Sequence, residues 1–174
     1  MMKTLHQCFI RNQQGASLVE FALLVPILLF LLMGTVTLFD LFRSWQNVEK
    51  ATFTVGDIMS RETGALTQSK LEGMLTLTRN VVTSGAQGGL RVSSIGKKNG
   101  VITVHWTHSV GSHVPASTPS VSLAPALAEG DSVLLTESFV PHAGFANLFG
   151  FDTLVFSARA AHRPRFVSAV AWQN

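Results

Sequence analysis

The fold is decided by residues 21–39, FALLVPILLFLLMGTVTLF, a run of 19 residues without a charged side chain. As an α-helix rising about 1.5 Å per residue, this run would be roughly 28 Å long, close to the thickness of the hydrocarbon core of a bilayer. A helix that is apolar on every side is unusual in the core of so small a soluble protein. The run therefore predicts a membrane-inserted helix near the N-terminus.

The residues around the apolar run argue against a cleaved secretory signal. The run is longer than the roughly 7–15 apolar residues of such a signal, and residues 40–43 after it, DLFR, do not form an A-x-A cleavage site. The apolar helix is therefore expected to stay in the protein.

The orientation of the helix depends more on the following domain than on the flanking charges. Lys3 and Arg11 before the helix nearly balance Arg43 and Lys50 after it. About 130 residues follow, and domains of that length are translocated largely regardless of their charge. We therefore expect the N-terminus in the cytoplasm and the C-terminal domain outside.

Composition excludes several classes of function. The chain has 174 residues, enough for one domain with accessories; 13% are charged and 47% are apolar. The net charge of +3 comes from scattered basic residues, so no clustered basic face for nucleic acid is expected. Cys8 is the one cysteine, which excludes an intrachain disulfide and a cysteine-based zinc site.

Glu20, one residue before the apolar run, has two interpretations. It can be an interfacial residue in the first helical turn, favoured by the helix dipole. Alternatively, it is a polar handle that needs a partner, because a carboxylate costs roughly 2.5–3.5 kcal/mol at the centre of a bilayer, and less near its surface. Just before it, Gly15, Ala16 and Ser17 form a junction of small residues, which we expect to be extended and accessible to a protease.

Residues 15–29, GASLVEFALLVPILL, resemble the TadE-like proteins, minor pseudopilins of the tight-adherence (Flp) pilus system. Gly15, four residues and Glu20 form the class III prepilin pattern, and the apolar run begins at once. The core at residues 19–23, VEFAL, followed by Pro26 is the specific part of the pattern. The resemblance covers roughly residues 14–45, about a fifth of the chain.

The resemblance implies a role for each of these residues. A prepilin peptidase would cut between Gly15 and Ala16 on the cytoplasmic side, and glycine suits the last leader position because it lets the backbone lie close to the protease. Glu20 and the adjacent Phe21 would take part in pilus assembly. In this role, Glu20 would pair with the N-terminal amine of a neighbouring subunit. The first mature residue is Ala16 rather than the Phe of many type IV pilins, so we infer no N-methylation.

Pro26 lies inside the apolar helix and removes the N–H that would bond to the carbonyl of Ala22. One interpretation is a kink that a membrane helix tolerates. The other is a flexible point for extracting the helix during assembly.

Beyond the bilayer, the helix is expected to continue as an amphipathic one and to end near residues 61–64. Its apolar stripe recurs every three or four residues and is more typical of an intramolecular contact than of a partner groove: Leu41, Trp45, Val48, Thr52, Val55, Met59. Trp45 lies where an aromatic side chain would anchor the helix at the membrane–water interface. A second helix is predicted over residues 67–82.

The rest of the chain has the period-two pattern of strands. Strands are predicted at residues 90–95, 101–109, 132–140 and 153–161, with a hairpin loop at 96–100 and a long surface loop at 111–130. The tail from residue 163 has no clear pattern. Four large apolar residues either cap the sheet, which we favour, or contact another subunit: Phe145, Leu148, Phe149, Phe151.

No motif of catalysis, nucleotide binding or metal binding is found in the chain. His105 and His108 are three apart on a predicted strand, so alternation places them on opposite faces, which argues against a shared metal. The acids of the outer part are few and separated. No enzyme activity, catalytic residue, cofactor or metal is therefore predicted.

These observations predict an α+β fold: a long N-terminal transmembrane helix, continuing into an amphipathic helix that packs on a small antiparallel sheet. The predicted divisions are a leader at 1–15, a membrane helix at 16–43 and an extracytoplasmic domain at 44–174.

The favoured function is that of a minor pseudopilin, processed by a prepilin peptidase and used in assembling a tight-adherence pilus. It would be a single-pass protein of the bacterial inner membrane, or part of the pilus. Its partners would be the peptidase, other pilins and pseudopilins, the assembly machinery and membrane lipid. The alternatives are a pseudopilin of another type IV filament or type II secretion system, and an uncleaved, membrane-anchored periplasmic ligand-binding protein.

Overall fold

A computed structural model describes residues 14–82, 87–119, 121–142 and 154–173 of the chain. The chain divides into two compact units, Met1–Asp40 and Leu41–Asn174. The leader up to residue 13 and the segment with Phe145, Leu148, Phe149 and Phe151 lie outside the described residues. Helix α1 spans Gln14–Ser60, helix α2 spans Gln68–Val81, and the strands are β1, Gly89–Lys98, β2, Val101–Gly111, β3, Ser132–His142, and β4, Leu154–His162.

Helix α1 begins the described chain, is 47 residues long and contains the apolar run. Its stretch Ser17–Ser60 is long and apolar enough to cross a membrane: an 18-residue window reaches a mean hydropathy of 2.5, with none of that window buried. The predicted long apolar helix is confirmed, and it supports single-pass anchoring in a membrane.

Within the second unit, α1 becomes the amphipathic helix that the sequence predicted. Val48, Thr52, Val55 and Met59 are buried, so the apolar stripe packs inside the protein from Val48 onward. The first two residues of the stripe behave differently, since Trp45 is 43% exposed and Leu41 is only half-buried. The intramolecular part of the stripe is therefore shorter than predicted.

Helix α2 follows after a short turn and confirms the prediction for residues 67–82. Thr67 caps its N-terminus, because the Thr67 hydroxyl accepts a hydrogen bond from the Lys70 N–H at 3.4 Å. Leu71 and Leu75 form the buried side of α2.

The four strands form one antiparallel sheet in the order β2-β1-β3-β4. All four predicted strands are confirmed within the described residues, and residue 153 lies outside them. Asn99 and Gly100 join β1 to β2 with positive φ values of 55° and 77°. This is the conformation that a tight two-residue hairpin favours, because it matches the twist of the strands. The architecture is α+β, as predicted.

The helices cover one face of the sheet. Apolar side chains of α1, α2, β1, β3 and the C-terminal tail meet in the largest core cluster: Val55, Met59, Leu66, Leu71, Leu75, Leu90, Val92, Leu134, Val170. A second cluster joins Val48 and Ala51 of α1 to Val140 and Ala158. Burial of the larger of these side chains, at roughly 1.5–3 kcal/mol each, holds the helices on the sheet.

The loop at 111–130 covers the other face of the sheet, so it is more than the surface loop that was predicted. Leu127 is buried against Ile95, Val133 and Leu135, and the loop contains a short 3₁₀ helix, Val121–Leu123. The strands supply apolar side chains on both faces, and this loop is the layer that buries the second set.

The C-terminal tail, whose structure the sequence left open, returns to the end of α1. The Arg165 N–H donates to the Ser60 carbonyl at 2.9 Å. Further on, Leu66 and Trp172 pair as an isolated parallel bridge, and the Trp106 Nε1–H donates to the Val170 carbonyl at 3.0 Å. The tail therefore joins α1, the turn after it and the sheet.

Candidate functional site

The junction at Gly15, Ala16 and Ser17 lies in the first turn of α1. The prediction of an extended junction was wrong: the helical preference of the following residues reaches back across the glycine. Gly15 is exposed, and a Cβ atom placed there would meet no other atom within 4 Å. The first four N–H groups of a helix have no partner inside it, so this turn is also the easiest part of α1 to unwind.

Glu20 and Phe21 are both exposed, on the second turn of the same helix. Phe21 is 66% exposed, and the apolar side chains after it are similarly open. The structure thus places a carboxylate at the beginning of a largely exposed apolar surface.

The polar groups inside the apolar run are satisfied within the helix. The Thr35 hydroxyl donates to the Leu31 carbonyl at 2.9 Å, and the Thr37 hydroxyl donates to the Met33 carbonyl at 2.8 Å. Such bonds let hydroxyl groups lie in lipid without an external partner. Pro26 lies inside the helix, as predicted.

Comparison with known families finds a match in the N-terminal part of the chain. A family model described as TadE-like protein matches residues 15–56. Residues 15–56 are TadE-like. The resemblance is thereby confirmed, and it supports a protein related to the Tad/Flp pilus, a structural family rather than one known for enzymes. No curated protein and no solved structure matches the chain at a significant level.

The TadE-like segment extends further than the sequence motif did, to Gly56 in the buried part of α1. At Gly56, α1 lies close to the sheet. A Cβ atom there would be 2.5 Å from His162 Nδ1 and 3.3 Å from Thr136 Oγ1. This contact was not predicted, although a glycine in the middle of an amphipathic helix is a known signal of close packing.

The end of the TadE-like segment is followed by an ion cluster on Asp57. The Asp57 carboxylate binds Arg61, one turn later, at 2.7 Å and Arg165 of the tail at 2.5 Å. Desolvation raises the pKa of Asp57, but the hydrogen bond from Arg61 and the charges of Arg165, Arg61 and His162 outweigh it and hold the pKa below its ordinary 3.8. This cluster is a second link between α1 and the tail.

A buried ion pair that the sequence did not predict lies on the other face of the sheet. Arg91, Glu137 and Arg159 occupy facing positions on β1, β3 and β4. The Arg91 Nε and Nη2 atoms each lie 2.7 Å from Glu137 Oε2, while Arg159 Nε lies 3.1 Å from Glu137 Oε1. Glu137 is 1% exposed.

Arg91 also fixes the loop that covers this face. Its Nη1 atom donates to the carbonyl of Pro115 at 3.1 Å and to that of Ser117. A buried guanidinium needs several acceptors, and here the carboxylate and the loop provide them together. The cluster is therefore a structural element that ties the loop to the sheet.

We expect Glu137→Ala to destabilise the protein strongly, because it would leave Arg91 buried without its carboxylate. Removing one partner of a buried pair costs roughly 3–5 kcal/mol. The measurement is the free energy of unfolding of the full chain in detergent micelles. The matched control is Glu62→Ala, which removes a partly exposed pair with Lys70 at 2.7 Å and should cost about 0–1 kcal/mol. Equal effects of the two substitutions would contradict the assignment.

Three histidines of the described regions contact aromatic rings: His108, His142 and His162. The His108 ring stacks on Trp172 with centroids 3.6 Å apart, and burial lowers its pKa. The β1–β2 register shifts between Ser94 and Ile95 and skips His105, so simple alternation does not relate His105 to His108. Among the described residues, no group of three or more His, Cys, Asp or Glu side chains could hold a metal ion.

Proposed function

We propose that this protein is a minor pseudopilin that a prepilin peptidase processes between Gly15 and Ala16, and that acts in assembling a tight-adherence pilus. The observation that carries the proposal is the co-occurrence, on one exposed helix within the TadE-like segment, of Gly15, Glu20 and an uncharged apolar run. Each feature alone is common. Together they provide a cleavage point, a charged assembly group and a membrane anchor in the order that a pilin-like precursor needs.

Processing would act on the first turn of α1. A protease needs its substrate backbone extended, so the turn containing Gly15 has to unwind before cleavage. Unwinding this turn costs little free energy, because the N–H groups of a first turn lack partners within the helix and glycine is a poor helix former. Cleavage would remove Cys8, Lys3 and Arg11, leaving a chain of formal charge +1, and Glu20 would become the fifth residue.

Assembly would then use Glu20 and Phe21. A carboxylate that lies at the edge of lipid gains from a partner of opposite charge, and cleavage creates one in the amine of Ala16. In the proposed assembly the pair forms between neighbouring subunits and defines their register. Pro26 would lower the stiffness of the helix as it leaves the membrane.

The proposed topology is a leader at 1–15 in the cytoplasm, a membrane helix at 16–43 and a periplasmic domain at 44–174. The proposed partners are the peptidase, other pilins and pseudopilins, the pilus machinery and inner-membrane lipid. The domain would serve as a folded unit presented by the helix, which agrees with its core being formed by α1 packing on the sheet.

N-terminal sequencing of the mature protein from its native membrane tests this proposal. A mature chain beginning at Ala16 would support it. An intact N-terminus in the membrane fraction would contradict it and would favour an uncleaved single-pass protein.

A further inference from the structure

The contact between helix α1 and the sheet is centred on the ring of His162. Gly56 of α1 lies over this ring, and a Cβ atom at Gly56 would be 2.5 Å from Nδ1 and 2.8 Å from Cε1. One turn earlier, the Phe53 ring meets the His162 ring edge-on, with centroids 4.6 Å apart. The ring thus packs against the helix, and we call this contact, formed by Phe53, Gly56, Thr136 and His162, the helix seat.

The helix seat contains polar atoms without partners. Both ring nitrogens of His162 and the Thr136 hydroxyl are shielded from solvent and have no hydrogen-bond partner among the described residues. The Ser138 hydroxyl, two positions along β3, is also shielded from solvent and also has no hydrogen-bond partner among the described residues. A neutral imidazole already carries one N–H donor and one acceptor, and a charged one carries two donors. Protonation would therefore add a second donor and a full charge where neither ring nitrogen has a hydrogen-bond partner.

The charges around the seat act on His162 in opposite directions, and Asp57, which favours the proton, outweighs Arg165. From α1, the facing carboxylate is Asp57, which already binds Arg61 at 2.7 Å and Arg165 at 2.5 Å. From the tail, the facing charge is Arg165 itself, and β3 presents the neutral Thr136. A protonated His162 would be a third cation around one carboxylate.

The electrostatics agree with this geometry. Burial lowers the pKa of His162 below its ordinary 6.5, and the charge of Arg165 lowers it further, while Asp57 opposes the shift. In the unfolded or released state the ring regains its ordinary affinity for a proton. The contribution of the seat to the free energy of unfolding is therefore complete above pH 6.5. It is lost as the pH falls below that value, because the released ring then binds a proton more readily than the packed one.

The seat is also where three chain segments join. The Arg165 N–H donates to the Ser60 carbonyl at the end of α1, and His162 ends β4. Loosening the seat would thus act on α1, on the edge strand and on the tail together, whereas the core around Leu71 and Leu90 has no titratable member.

We propose that the helix seat is an acid-sensitive latch, in which protonation of His162 releases residues 48–60 of α1 and the tail from the sheet. The latch is a property of the outer unit and does not depend on processing or on the pilus.

Hydrogen exchange of the full chain in detergent micelles tests the latch. The measurement is the protection factor of amides 48–60, corrected for intrinsic exchange, at pH 7.5 and at pH 5.5. From the ordinary pKa of 6.5, linkage allows the open population to rise by at most about tenfold between these values. We expect a rise of about three- to tenfold for these amides and little change for amides of α2.

Two substitutions separate His162 from the other histidine of lowered pKa. His162→Gln keeps a polar side chain but removes the group that binds the proton. The rise in the open population of amides 48–60 between pH 7.5 and pH 5.5 should then fall below about twofold. His108→Gln, the matched control on β2, should leave the rise seen in the wild type unchanged. A full response that persists in His162→Gln, or wild-type protection that is equal at both pH values, would overturn the proposal.

A titration of the wild-type protein covers the case in which His162→Gln does not fold. The His162 ring resonances in the NMR spectrum should titrate below pH 6.5. Titration at or above that value would show that the seat accommodates the charged ring and would also overturn the proposal.

Discussion

Replacing Gly15 by valine is expected to abolish removal of the leader by the cognate prepilin peptidase. The glycine allows the backbone on either side of the scissile bond to approach the protease, and a β-branched side chain would occupy that space. The readout is the mass of the protein after co-expression with the peptidase. We expect the wild type to lose 15 residues and the variant to remain at full length.

The structure makes this experiment specific. A Cβ atom at Gly15 would meet nothing within 4 Å, so the variant should insert and fold as the wild type does. Gly34→Val is the matched control, because Gly34 lies in the same helix and is equally open. It should be cleaved normally. Normal cleavage of Gly15→Val would show that the bond cut, if any, lies elsewhere.

Features of the fold that depend on neighbouring residues could be predicted from the sequence. The uncharged run at 21–39 predicted the apolar part of α1, and the three-to-four spacing of Val48, Thr52, Val55 and Met59 predicted its buried side. The strands followed from their period of two. In each case the signal is a repeat within one element, which a single sequence contains in full.

Contacts between distant elements could not be predicted. Arg91 and Glu137 are 46 residues apart and become partners only because β1 and β3 are neighbours in the sheet. The same holds for Asp57 and Arg165, which are 108 residues apart. Taken alone, each is an isolated charged residue, and its partner is defined by strand order and register.

At the junction around Gly15, the backbone conformation predicted from the sequence was wrong. Its small residues suggested an extended backbone, yet the structure places them in the first turn of α1. Helix formation is cooperative, so a long helix extends over a glycine at its end at a cost of about 1 kcal/mol. The accessible state of the junction is then an opening of the helix rather than its resting conformation.

Glu20→Ala is expected to abolish assembly while leaving insertion and processing intact. Insertion should be equal or slightly better, because a charge is removed from the beginning of an apolar helix. Cleavage should persist, since the bond between Gly15 and Ala16 is unchanged and Glu20 is exposed, with no packing role in the isolated chain. Assembly should fail, because the amine of the neighbouring subunit would lose its partner in a low-dielectric setting, a loss of roughly 3–5 kcal/mol for a buried pair.

The experiment needs three separate readouts for Glu20: the membrane fraction, the mature mass, and the yield of pili or of co-purifying pilus-machine proteins. Glu20→Gln should be intermediate in the third readout, because an amide can accept a hydrogen bond from the amine but carries no charge. Glu49→Ala, a substitution of an exposed glutamate on the same helix beyond the apolar run, is the matched control and should assemble normally. Wild-type piliation by Glu20→Ala would mean that the carboxylate only marks the beginning of the membrane helix, and the charge-pairing model of assembly would then be wrong even if cleavage at Gly15 occurs as proposed.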